Sequence, residues 1–135
     1  MSRKPPGSRA GFTLIELMIV VVIIAVLATL AYGGYQAHVE KSWRATAAGC
    51  LTDLAQGMER HFTGSMSYPP SLPARACVTE SGMSDRYAFA LQSAGDTSFT
   101  LAATPVGPQA GDSCGTLTLD HRGRRGADGP VSACW

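Results

Sequence analysis

The sequence predicts an α+β fold, a long N-terminal helix lying against a small antiparallel sheet. Three observations predict it. An apolar run passes without interruption into an amphipathic stretch of helical period. Three short segments in the C-terminal half alternate apolar and polar residues. Four cysteines lie in the part that must pack. The chain has 135 residues, one domain's worth. It is 45% apolar and only 16% charged, below the roughly 25% charged of ordinary soluble domains. Between Leu17 and Tyr32 only Thr29 is not apolar. The mixed, punctuated, aromatic-bearing sequence after Leu51 excludes collagen-like, purely coiled-coil and disordered chains.

The formal net charge is +1, which excludes a generally basic nucleic-acid binder. Arg3, Lys4 and Arg9 precede the apolar run with no acidic residue among them. Without residues 1–11 the balance is eight basic against ten acidic residues, or −2. A positive head before an apolar stretch reads as retention on the cytoplasmic side during membrane insertion.

Phe12 to Tyr35 is 24 residues, roughly 36 Å as a helix, enough to cross an apolar bilayer core of about 30 Å. A secretory signal would have a shorter apolar region and a better cleavage site than Thr29-Leu30-Ala31. A plain anchor gives no reason for Glu16, which has no basic residue in helical reach. A carboxylate deep in a membrane helix costs about 2.5–3.5 kcal/mol on insertion scales. Either Glu16 is hydrated at the interface, or it has a cationic partner. Cleavage after Gly11 would create one, the new α-amine of Phe12, on the same chain or on a neighbouring copy.

Gly11-Phe12-Thr13-Leu14-Ile15-Glu16-Leu17, with Arg9 before it and the apolar run after it, closely resembles the processing site of type IV pilins. The resemblance implies a leader over residues 1–11, cleavage by a prepilin peptidase between Gly11 and Phe12, and N-methylation of Phe12. It implies that Glu16 recruits the subunit into a filament by pairing with a neighbour's Phe12 amine. It also implies a pilin roll, with residues 12–35 as membrane and filament-core helix and residues 36–135 as a periplasmic head.

The helix is expected to continue to about Thr63. Tyr35, Val39, Trp43, Ala47, Leu51, Leu54, Met58 and Phe62 recur at steps of three and four. The opposite face carries Glu40, Lys41, Arg44, Asp53, Gln56 and Arg60. Gly64-Ser65 reads as its end. Gly33-Gly34, where pilins often have a proline, is expected to let the helix bend or unwind in a filament. Residues 64–85 read as loop, with Pro69, Pro70, Pro73 and Gly82. Strands are expected over Arg86–Gln92, Ser98–Thr104 and Gly115–Asp120, the first two joined by a hairpin through Gly95-Asp96. Their apolar faces would cover the helix stripe.

The four cysteines allow three pairings, and spacing alone leaves all three open. No CxxC pair suggests zinc, and a short chain entering a membrane suggests disulfides in an oxidising compartment. Cys50–Cys77 is favoured because it would pin the proline-rich loop onto the helix. Cys114–Cys134 is favoured because it would staple the tail to the sheet, and it resembles the bridge bounding the C-terminal loop of many type IV pilins. The tail from Cys114 to Trp135 is most similar to minor pilins of the PilE type.

No catalytic pattern appears: no GxSxG, phosphate loop or zincin motif. His38, His61 and His121 have no metal-ligand spacing, Asp112, Asp120 and Asp128 form no calcium loop, and no cofactor is indicated. His121, Arg122, Arg124 and Arg125 are the one basic cluster of the head. Such a run is usually a solvated turn, and its functional reading is contact with DNA phosphates or a partner pilin through Arg122, Arg124 and Arg125. No aromatic residue is interleaved with it, which argues against base stacking.

The chain is therefore read as a minor type IV pilin precursor with no enzymatic role. It would wait in the bacterial inner membrane with its head in the periplasm, then enter an extracellular pilus serving motility, adhesion or DNA uptake. The resemblance implies the major pilin, other minor pilins, prepilin peptidase and the assembly platform as partners. The competing readings are a type II secretion pseudopilin, which shares the N-terminal motif, and a membrane-tethered periplasmic binding module.

Overall fold

The computed structural model describes residues 11–135. Arg3, Lys4, Arg9 and all of the expected leader except Gly11 lie outside the described residues. The chain divides into two compact units, one ending at Ala37 and one comprising His38–Trp135.

Helix α1 is assigned over Leu14–Ser65. Thr13 caps it, its Oγ1 accepting the Glu16 backbone N–H at 3.4 Å. Threonine followed three residues later by glutamate is the capping-box pattern. In the first unit the α1 side chains from Leu14 to Leu30 are exposed. This is the helix among the described residues that is long and apolar enough to cross a membrane. Gly33 and Gly34 fall within α1.

In the second unit α1 buries Ala47, Cys50, Leu51, Leu54, Gly57 and Met58. The buried stripe is shorter than the sequence period suggests, since Val39, Trp43 and Phe62 are only half-buried. The stripe packs with Tyr87, Phe99, Leu101, Ala103, Leu117 and Leu119 in one core. These residues come from β1 (Tyr87–Ala94), β2 (Phe99–Pro105) and β3 (Leu117–Asp120). The strands form an antiparallel sheet in sequence order with a fourth, β4 (Arg125–Gly126), at the edge. Period-2 alternation sends Leu101 and Leu119, paired across β2 and β3, to the core side.

Four details differ from the sequence reading. The helix runs two residues past Thr63 and ends at Ser65, and the left-handed residue that stops it is Met66 (φ 59°), not a glycine. The segment read as loop contains two 3₁₀ turns, Ala76–Val78 and Glu80–Asp85. Strand β4 has only two residues, too short to leave an alternation pattern. Arg44 points inward from the face read as exposed.

Two disulfides, Cys50–Cys77 and Cys114–Cys134, close loops of 27 and 20 residues. Cys77 sits on the first 3₁₀ turn and Cys134 on the short helix α2 (Val131–Cys134). The proline-rich loop crosses α1 at Gly57, where a Cβ would come within 2.9 Å of the Pro73 Cγ and 3.0 Å of an Arg75 nitrogen. Glycine is what permits that close crossing.

Candidate functional site

The basic cluster forms the tip of the β3–β4 hairpin. Asp120, the last residue of β3, organises it. Its Oδ1 accepts the backbone N–H groups of Arg122 at 2.8 Å and Arg124 at 2.9 Å, and its Oδ2 accepts the Arg124 Nε–H at 3.0 Å. Gly123 takes the left-handed conformation (φ 74°) that the reversal needs. These contacts, the Arg124 backbone bond first and then that of Arg122, hold the Asp120 carboxyl below its usual pKa. Aspartate followed by glycine three residues on is a turn signal, in keeping with the solvated turn read from sequence; the β3–β4 hairpin itself appears only in the fold.

The three arginines are exposed but not equivalent. Arg124 is committed to Asp120. Arg125 lies over the Trp135 ring, its guanidinium carbon 5.2 Å from the centroid, while Trp135 donates its indole N–H to the Gly126 carbonyl at 2.9 Å. Arg122 forms no ion pair among the described residues. The sequence places no aromatic inside the cluster, yet the fold sets Trp135 beside it and His121 against Phe99, ring centroids 6.3 Å apart.

Behind the hairpin lies a groove of about 580 Å3. It is lined by α1 residues that include Ala55, Glu59 and Arg60, by Asp120, His121, Gly123 and Arg125 of the hairpin, and by the buried Phe99 and Leu119. The two-residue strand β4 contributes only Arg125 to the groove lining.

A second polar assembly is buried and structural. Arg44 donates to Asp112 Oδ1 at 3.0 Å, with 13% and 1% of the two side chains exposed. The Cys114 backbone N–H also donates to Oδ1, and the Tyr87 hydroxyl and the Gln109 amide donate to Oδ2. Gln109 further donates to the Glu40 carbonyl on α1 at 2.9 Å. The Arg44 guanidinium also touches the Cys114 sulfur. Burial first, then the Asp112 bond, pushes the Tyr87 hydroxyl pKa up strongly. This assembly straps the segment before Cys114 to α1. Asp112, Asp120 and Asp128 are engaged separately, Asp128 accepting the Thr116 backbone N–H at 2.8 Å. No group of three metal-ligating side chains is present among the described residues.

At the other end of the chain Gly11, Phe12 and Glu16 are exposed, Phe12 to 79%. The Glu16 carboxylate has no hydrogen-bond or ion-pair partner among the described residues of this single chain.

Comparison with known proteins places the chain. Residues 7–32 match the profile described as a prokaryotic N-terminal methylation motif. Residues 34–118 match the profile described as type IV minor pilin ComP, DNA uptake sequence receptor. Two curated Moraxella bovis proteins, a type IV major alpha-pilin and fimbrial protein Q, are each 46% identical over 51 residues, or 38% of this chain. The match spans only 30% and 31% of their lengths. A type IV pilin from Shewanella oneidensis is 34% identical with a TM-score of 0.57, over 71% of this chain and 97% of its own. The Neisseria meningitidis non-core minor pilin PilV shares the fold at 22% identity, with a TM-score of 0.54 over 72% of this chain and 94% of its own. An N-terminal methylation motif, a long helix packed on a four-stranded antiparallel sheet, and a match over residues 34–118 make this chain a type IV pilin of the ComP minor-pilin family.

Proposed function

We propose that this chain is a minor pilin precursor that is cut after Gly11, methylated on Phe12, assembled into a type IV filament, and there presents the β3–β4 hairpin to DNA. The observation that carries the DNA reading is the Asp120-organised turn, which holds the exposed Arg122 and Arg124 at the hairpin tip beside the exposed Arg125, in a head that is otherwise slightly acidic. Local positive charge on a near-neutral protein attracts phosphate without promoting indiscriminate binding. The matched family's description as a DNA uptake sequence receptor supports the same reading.

Assembly follows from the other end of the chain. Exchanging lipid for neighbouring helices gives the exposed apolar side chains little net hydrophobic gain. Specificity then falls to charge pairing, with the unpartnered Glu16 carboxylate facing the Phe12 amine of a neighbour. The partners are accordingly the prepilin peptidase, the assembly platform, and other pilins, with the inner membrane as the waiting compartment.

DNA binding by the oxidised full chain in detergent, read by fluorescence anisotropy over a salt series, tests the first claim. Replacing Arg122, Arg124 and Arg125 by Gln together is expected to weaken binding and flatten the log–log salt slope by about 0.9 per lost phosphate contact. Unchanged affinity and slope would overturn it. For assembly, Glu16→Ala is expected to be processed normally and to be missing from sheared filaments. Incorporation at the wild-type level would refute the pairing.

A further inference from the structure

We propose that the groove between α1 and the β3–β4 hairpin receives one nucleotide of the bound DNA with its base turned out of the stack, and that the base carries an exocyclic amino group. This rests on the DNA reading above and adds the form of DNA that is bound.

The groove suits a flat, partly apolar solute bearing an anionic attachment. Its volume of about 580 Å3 falls within the roughly 300–1,000 Å3 usual for small-molecule clefts. Ala55, Phe99 and Leu119 give it an apolar interior. Arg60 on the helix side and Arg125 on the strand side flank it, and neither is in an ion pair among the described residues. Guanidinium planes pack against bases and also attract phosphate.

Two carboxylates also line the groove, and their states decide what it accepts. Asp120 is already satisfied by Arg124 and two backbone N–H groups. Glu59 accepts the Tyr68 hydroxyl through Oε1 at 2.9 Å, while its Oε2 has no partner among the described residues. An exposed carboxylate acceptor beside an apolar slot pairs with the amino group of adenine, cytosine or guanine, which thymine lacks. The occupant is continuous with the hairpin, because His121, Gly123 and Arg125 belong to both. A strand held by the hairpin arginines therefore passes the mouth of the groove, while an undistorted duplex keeps its bases stacked and leaves it empty.

The test compares a perfect DNA duplex with the same duplex carrying one central adenine opposite an abasic site, both bound to the oxidised full chain in detergent. The unpaired adenine is expected to raise affinity at least tenfold, and replacing it by thymine to remove most of the gain. Ala55→Trp, which fills the groove away from the hairpin, is expected to abolish the gain while leaving affinity for the perfect duplex intact. Should that variant fold poorly, 2-aminopurine at the unpaired position gives a second readout on the wild-type chain, its emission expected to change on binding. Equal affinity for the two duplexes, or unaltered emission, overturns the groove proposal. If Gln at Arg122, Arg124 and Arg125 abolishes binding while the adenine confers no gain, only the groove proposal falls. If that triple variant binds as wild type does, the DNA reading falls with it.

Discussion

Asp112 and Asp120 show how differently two aspartates eight positions apart can serve one fold. Asp112 is buried against Arg44, so removing its charge leaves a guanidinium with little water to replace it. Asp112→Ala is expected to cost about 3 kcal/mol or more in chemical denaturation. Adding Arg44→Met should recover much of that loss, because the unpaired charge then disappears. Asp120 works at the surface, holding the arginine turn together. Its folded-state pKa is lowered from a usual value near 3.8, so its contribution is complete above that value. The contribution is lost as pH falls through the lowered folded-state pKa. NMR amide signals of Arg122 and Arg124 are therefore expected to shift together on acidification, with a common midpoint below the ordinary aspartate value of 3.8.

The helix stop is the informative detail among the elements. Gly64 carries the residue type usually found past a helix end, but the chain places Met66 there with φ 59°. A side chain in the left-handed region costs roughly 1 kcal/mol. Met66→Gly is thus expected to stabilise the protein by about 0.5–1 kcal/mol, measured as a shift in the denaturation midpoint. Past Gly64 the last turn is closed by the Met66 backbone N–H donating to the Phe62 carbonyl at 2.7 Å, while the Ser65 hydroxyl donates to the His61 carbonyl at 2.8 Å. Strand β4 is the opposite case, an element made only by pairing, since Thr118 and Leu119 recruit Gly126 and Arg125 across the turn.

For the whole molecule, a thin four-stranded sheet against one helix buries too little to be generously stable, and the disulfides compensate. Loops of 27 and 20 residues correspond to about 3 kcal/mol each in the chain-entropy model. Cys50→Ser with Cys77→Ser, and Cys114→Ser with Cys134→Ser, are each expected to lower unfolding free energy by at least that amount. The second pair should cost more, because the buried Arg44–Asp112 assembly touches Cys114 and loosens with it. Thermal melts of the two double variants against wild type would rank them.

The long helix, the N-terminal motif, the three main strands and the place of the arginine cluster were legible in the sequence. Each is written locally: an apolar run, a period of three to four, a period of two, a turn signal. The inward turn of Arg44, the two-residue edge strand and the groove behind it were not. Arg44 reads as one more polar residue on a solvated helix face until Asp112, 68 positions away, is folded against it. Periodicity reports which side of an element is apolar, and it carries no information about a distant partner that makes a charged residue tolerable inside. A membrane-competent helix, a packed head and a basic turn follow from local pattern along the chain. Which charges are spent on internal pairing and which stay at the surface depends on contacts between residues far apart in the chain, as between Arg44 and Asp112.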